Sequence, residues 1–290
     1  MAEDVRSLVV IGADSMDFAY GVRNASAKLS ALNLAANSGA PATLFNFSLR
    51  QDISREGRRL LKFLHPDVRV IARDTLSQAR AKELLDRDDV STVPDVGILL
   101  EPQETSESEQ IQAWANTKRT AALTVNNHLG VTFSSRNMLD YFVDLGKVLL
   151  GAGYEVLVIA HDTRPSPNDP ALAKAVSERL GKATRVGLPS TAREAKAMIS
   201  HVDVHLASRM HAAVASLSQG IPTIGLDYVD KFRGQFSWYQ AEEFVIPWHA
   251  SDAEERVNQL LNSISSDRNL IERINCAADI GKRKFEDLIL

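Results

Sequence analysis

Short runs of aliphatic and β-branched residues recur along the chain, nearly every one followed by a segment with helical spacing, and this alternation limits the possible folds most sharply. The runs are Leu8–Ile11, Ala42–Phe45, Val68–Ile71, Ala121–Val125, Glu155–Ile159, Val202–Leu206 and Thr223–Leu226. Strand and helix in alternation predict parallel sheets, because a parallel neighbour is reached only through a crossover connection. Runs this continuously apolar predict strands covered on both faces, with Asn24–Asn37, Met138–Leu150, Ala171–Leu180 and Ala192–Ile199 as covers. The class is doubly wound α/β.

A chain of 290 residues is longer than one hydrophobic core usually serves, so two domains are expected. The polar, acidic stretch Glu101–Gln110 and the helical Ile111–Lys118 separate two groups of strands, which places domains at 1–118 and 119–290. The tail from Ser251 to Leu290 reads as two helices with start signals at Ser251 and Ser265, expected to return to the first domain.

Composition excludes several classes. A net charge of -4 lacks the basic excess that nucleic acid binding needs. The single cysteine, Cys276, permits no internal disulfide and no multi-cysteine metal site; its place in the periodic segment Ile271–Cys276 predicts a buried filler. No histidine spacing suggests zinc, so no metal is expected. No run is long enough to span a bilayer, and Met1-Ala-Glu-Asp lacks the character of a signal peptide, so a cytosolic location is expected.

In open parallel sheets ligands sit beyond the carboxyl ends of the strands, so polar residues just after each run are the candidates. The richest segment is Val202–Tyr228, where a strand meets Ser208, read as a helix N-cap, and then Arg209 and His211 in the first helical turn. Cationic side chains oppose the dipole at a helix start, which is tolerated where an anion is bound. Arg supplies a planar fork for phosphate or carboxylate, and His can move a proton near neutral pH. Alternatively Arg209 meets an acidic neighbour and His211 packs on the sheet; their occurrence together favours the anion. Gln219-Gly220-Ile-Pro reads as a helix stop with a glycine C-cap. Beyond the next strand, Asp227, Tyr228, Asp230 and Lys231 are expected to be exposed, with Lys231 adding positive charge to the pocket.

Arg73 follows the strand Val68–Ile71 in the same manner, with a salt bridge to Asp74 as its alternative role. Asp14 and Asp17 follow the first strand and offer carboxylates for sugar hydroxyls or general-base duty. His161 and His128 follow strands and form a second tier, together with Asp227 and Tyr228. His65, His201 and His205 read as packing or surface residues.

The combination of Val9-Val-Ile-Gly-Ala-Asp14, Ala72-Arg-Asp-Thr-Leu-Ser77, Pro94-Asp-Val-Gly97, Ser208-Arg-Met-His-Ala-Ala213, Gly220-Ile-Pro-Thr223 and Tyr228-Val-Asp-Lys231 resembles the polysaccharide pyruvyl transferase family. The resemblance implies two Rossmann-like domains of glycosyltransferase-B-like form, the N-terminal one shortened because the family's opening strand and Gly-Asn-rich turn have no counterpart. It implies phosphoenolpyruvate as donor, no cofactor, and a glycan or lipid-linked sugar as acceptor, with peripheral association to glycan-assembly machinery. Carried over by motif, Arg209 and His211 hold the donor, with His211 as acid or base and Arg73 contributing from the other domain. Two other readings stay open: a nucleotide-sugar glycosyltransferase of the same fold, and a catalytically silent glycan-binding homologue.

Overall fold

The apolar runs build two separate parallel sheets in the computed structural model, which describes residues 6–18, 21–132, 137–166, 168–228 and 231–289. The first residues of the chain and Asp230, which figured in the sequence reading, lie outside the described residues. Two compact units emerge. One comprises Met1–Val96, Val229–Trp238 and Gly281–Leu290, the other Gly97–Tyr228 and Tyr239–Ile280. Residues 97–118 thus group with the second unit rather than the first, held by Ile111, which packs beside Ala122 and Leu157.

The first unit runs β1 (Leu8–Ala13), α1 (Val22–Asn37), β2 (Ala42–Phe47), α2 (Arg55–Lys62), β3 (Arg69–Ala72), α3 (Thr75–Leu85) and β4 (Ser91–Thr92), with strands ordered β1-β2-β3-β4. Leu29 and Leu32 of α1 close over Leu44 and Val70. Two-sided cover fails at β1: Leu8 and Val10 pack into that core, whereas Val9 and Ile11 on the opposite face are 58% and 52% exposed. As the edge strand it lacks a second neighbour, and Lys28 donates to the carbonyl of Ile11 at 3.0 Å.

The second unit runs α4 (Ser106–Ala115), β5 (Thr120–Val125), α5 (His128–Thr132), α6 (Met138–Gly151), β6 (Glu155–Ala160), α7 (Asp169–Leu180), β7 (Thr184–Gly187), α8 (Ala192–Ile199), β8 (Val204–Ala207), α9 (Met210–Leu217) and β9 (Thr223–Asp227). After α10 (Phe232–Ser237), which belongs to the first unit, come β10 (Val245–Pro247), α11 (Ala253–Ser266) and α12 (Leu270–Ile289), whose last turns rejoin the first unit. The strand order is β10-β9-β8-β5-β6-β7. Every residue of β5 is buried, as its unbroken apolar run requires. Truncating Leu123 at its centre would cost about 2–5 kcal/mol. On α12 the buried stripe is Leu270, Ile274, Ala278 and Phe285, and Cys276 lies off it; the cysteine is exposed, not a filler.

This order places a topological switch between β5 and β8, since the chain leaves them in opposite directions, to β6 and to β9. A crevice opens at such a point beyond the carboxyl ends of the strands. The residues immediately after β5, β6 and β8 therefore meet there.

Candidate functional site

Asn126 follows β5, His161 and Asp162 come after β6, and Ser208 and Arg209 after β8, so the switch gathers residues up to 83 positions apart in one place. The Asn126 amide donates to the Ser208 carbonyl at 2.9 Å, tying the two strand ends together. Ser208 is buried and its hydroxyl donates to the carbonyl of Thr124, so it is no N-cap. Arg209 occupies the cap position of α9, and no side chain caps the helix. Its neighbours α7 and α8 are capped by Asn168 and Thr191. The start of α9 thus carries no side-chain cap and is crowned by a guanidinium and by the exposed imidazole of His211.

Arg209 does meet acidic neighbours, Asp169 and Asp162, which sequence reading did not assign to the site. Its Nε and Nη2 donate to Asp169 Oδ2 at 3.1 and 2.7 Å, and Nη2 lies 3.5 Å from Asp162. These bonds hold the fork in place and leave Nη1 without a partner among the described residues. Asp169 also accepts the N–H of Asn127 at 2.9 Å, and burial, opposed by Arg209, pushes its carboxyl above the ordinary range. Asp162 is held down at about 2, chiefly by its hydrogen bonds with Arg164 and then by the charge of Arg209. Asn168-Asp-Pro at the start of α7 was the available signal for Asp169: a capping residue and a helix-start proline fix where the carboxylate lies.

The second-tier histidines fall around this group. Burial, followed by the charges of His211 and Arg209, pushes the His161 imidazole down to about 4, so it is neutral at physiological pH. His128 opens α5 and is shifted down by burial and by Arg209 and Arg164. His205 lies wholly inside, between the hydroxyls of Thr124 and Ser216 at 2.7 and 2.9 Å, which makes it the packing residue expected. Asp227 ends β9, with its carbonyl accepting the N–H of Trp248, and Tyr228 leans on the apolar core.

The remaining candidates converge in the first unit. Arg73 donates to Ser48, Asp95 and Asp14, and its side chain is 1% exposed. Burial works against its charge, but Asp14, Asp95 and Asp74 hold its pKa above the ordinary arginine value. Lys231 lies 3.2 Å from Asp14 and 3.0 Å from Asp17 and is 5% exposed, so it is neither solvated nor open to a ligand. Asp17 is buried beside it. Asp74 caps α3 through the N–H of Ser77, and the Arg73 carbonyl accepts from Gln235 and Trp238 of the α10 segment. Two expectations are corrected here: Arg73 and Lys231 are sealed in a charge network rather than presented to a donor, and Asp14 and Asp17 are its counter-ions rather than a free base.

A family model described as polysaccharide pyruvyl transferase matches residues 3–230, most of the chain. The chain belongs to that family. It is therefore a polysaccharide-modifying transferase, and the four motifs that contribute Asp14, Arg73, Asp95 and Lys231 to the resemblance meet in one ionic cluster. No curated protein sequence matches it. Among solved structures, the UDP co-structure of S. aureus MnaA is similar at TM-score 0.61 and 12% identity, over 94% of this chain and 73% of that one. UDP-GlcNAc 2-epimerase from Neisseria meningitidis, bound to UDP-GlcNAc, is similar at TM-score 0.55 and 14% identity, over 90% and 73%. WaaG, a glycosyltransferase involved in lipopolysaccharide biosynthesis, is similar at TM-score 0.50 and 14% identity, over 89% and 78%. The fold of this family member is the Rossmann-like, glycosyltransferase-B type.

Proposed function

We propose that the chain transfers the three-carbon unit of phosphoenolpyruvate to a sugar of a polysaccharide or its lipid-linked precursor, forming a pyruvate ketal. The observation that carries this reading is the uncapped start of α9, bearing Arg209 and His211 at the switch point of the six-stranded sheet. A helix start without a side-chain cap and an oriented guanidinium suit a small donor with both a phosphate and a carboxylate. Asp169 holds the fork still, so little reorganisation is needed when charge develops on the departing phosphate.

In the proposed reaction His211 gives a proton to the methylene carbon, which becomes the methyl group, while positive character develops on the adjacent carbon. One sugar hydroxyl adds there and returns a proton to His211. The second hydroxyl displaces phosphate, which leaves with the remaining proton and closes the ketal. His161, held neutral by its surroundings, keeps the local charge from exceeding what Asp162 and Asp169 balance.

The rival donor on this fold is a UDP sugar: the N. meningitidis structure holds UDP-GlcNAc and the S. aureus one UDP. After His211, however, α9 continues as Ala212–Leu217, all buried and without a carboxylate for a ribose. Phosphate release from phosphoenolpyruvate in the presence of a glycan acceptor is the test. Arg209→Ala and His211→Ala are each expected to slow it by a factor of about 10²–10⁴. Wild-type turnover in both variants refutes the assignment.

A further inference from the structure

A second collection of positive charge on this acidic chain lies within the first unit. A cavity of about 510 Å³ in the first unit is lined by Arg50, Arg55, Arg58, Arg59, Lys62 and Arg80, with Glu83 the single carboxylate among its lining residues. Arg55, Arg58, Arg59 and Lys62 fall at i, i+3, i+4 and i+7 along α2, so one helix face supplies four of the six. Their placement is not explained by the helix dipole. Arg59 and Lys62 in the last turn suit it, but Arg55 and Arg58 near the start oppose it.

Two of the guanidinium groups are fixed by backbone carbonyls. Arg58 donates to the carbonyls of Ile53 and Gln51, both at 3.0 Å, and Arg80 donates to that of Leu49 at 2.7 Å. Such bonds position both forks, and those of Arg58 do so without bringing a counter-charge. Arg50 is partly offset by Asp52 at 2.7 Å, and the buried Ile53 and Leu84 give the cavity an apolar wall. Arginine forks match phosphate oxygens in pairs, and a concavity of this size suits a ligand larger than a lone ion. One phosphate monoester brings about two negative charges, too few to balance this lining, whereas two linked phosphates come closer.

We propose that this cavity binds the diphosphate group of a phosphorylated ligand, either a soluble diphosphate ester or a lipid headgroup. The site stands whether or not the phosphoenolpyruvate reading of α9 holds. Calorimetric titration of the whole chain with inorganic pyrophosphate is the test, comparing wild type with the triple variant Arg55→Glu, Arg59→Glu, Lys62→Glu, all three at exposed positions. Affinity is expected to fall by about tenfold or more in the variant. A milder Arg59→Ala, Lys62→Ala variant, checked for native circular dichroism, serves if charge reversal disturbs folding, with a smaller fall expected.

Arg209→Ala separates the two anion sites, because it should leave the pyrophosphate affinity of this cavity unchanged. Absence of pyrophosphate binding, or binding lost in Arg209→Ala but intact in the triple variant, overturns the proposal. Flotation with phosphatidylcholine vesicles, with and without diacylglycerol diphosphate, distinguishes the sources. Flotation that needs the diphosphate lipid and is lost in the triple variant assigns the lipid headgroup; pyrophosphate binding without flotation assigns the soluble ester. Flotation without pyrophosphate binding shows only surface attraction and also overturns it.

Discussion

Arg73 and Arg209 occupy equivalent positions, each directly after or one residue beyond a strand and before a helix, yet their surroundings differ. Arg73 is enclosed by Asp14, Asp95 and Ser48, and the helix after it is capped by Asp74. Arg209 is anchored on one side by Asp169, keeps Nη1 without a partner among the described residues, and precedes a helix without a side-chain cap. The same local pattern thus yields a structural keystone in one unit and a candidate anion site in the other. What distinguishes them is how completely neighbouring groups satisfy the guanidinium and the helix start, and that is decided by residues distant in sequence.

The contrast is broken most severely at the sealed network. Arg73→Ala leaves buried carboxylates without their cation and is expected to cost about 3–5 kcal/mol in denaturant unfolding. Arg209→Ala, at a site whose native side chain is 13% exposed and whose Asp169 partner is already shifted toward the protonated form, should cost less stability than Arg73→Ala while removing donor binding. Equal stability losses would erase the distinction between the two arginines.

Acid probes the second unit. The His205 imidazole is pushed down to about 3 by burial and, secondarily, by His161, so the native state excludes a proton that the unfolded chain accepts near 6.5. Above pH 6.5 the group is neutral in both states and has no effect. Between about 6.5 and 3 the unfolded state binds more protons, and stability declines as pH falls, by on the order of 3 kcal/mol or more for this group. Unfolding curves measured across that window should have a gentler slope in His205→Gln, provided the glutamine amide bridges Thr124 and Ser216.

A smaller effect is expected at the α10 contact of the first unit. A Cβ on Gly234 would fall 2.7 Å from Asp74 Cγ, so Gly234→Ala should destabilise by about 1–3 kcal/mol. Because that contact belongs to the charge network and not to α9, phosphoenolpyruvate affinity should be retained. Titration of the purified variant checks both halves of this expectation.

Much of the fold was readable because its signals are local. Seven strands and the major helices emerge from apolar periodicity, and Gly220 stops α9 at φ +80, as its position before Ile-Pro indicates. The missed strands β4, β7 and β10 are two to four residues long, too short to establish a period. The site was only half legible. Arg209 and His211 stand out because they come after a strand and open a helix. Nothing in sequence separation announces that Asp169 lies on Arg209, 40 residues away, or that Asp14 lies on Arg73, 59 residues away. Cys276 shows the same limit in miniature: apolar periodicity marks a stripe, but a small neighbour of that stripe can point either way.

Whether α9 presents an open anion site is tested most directly by thermal unfolding with added ligand. Phosphoenolpyruvate should raise the Tm of the wild type and of Gly234→Ala, and should fail to do so in Arg209→Ala and His211→Ala. A Tm that rises equally in all four proteins, or that rises only with a UDP sugar, would contradict it.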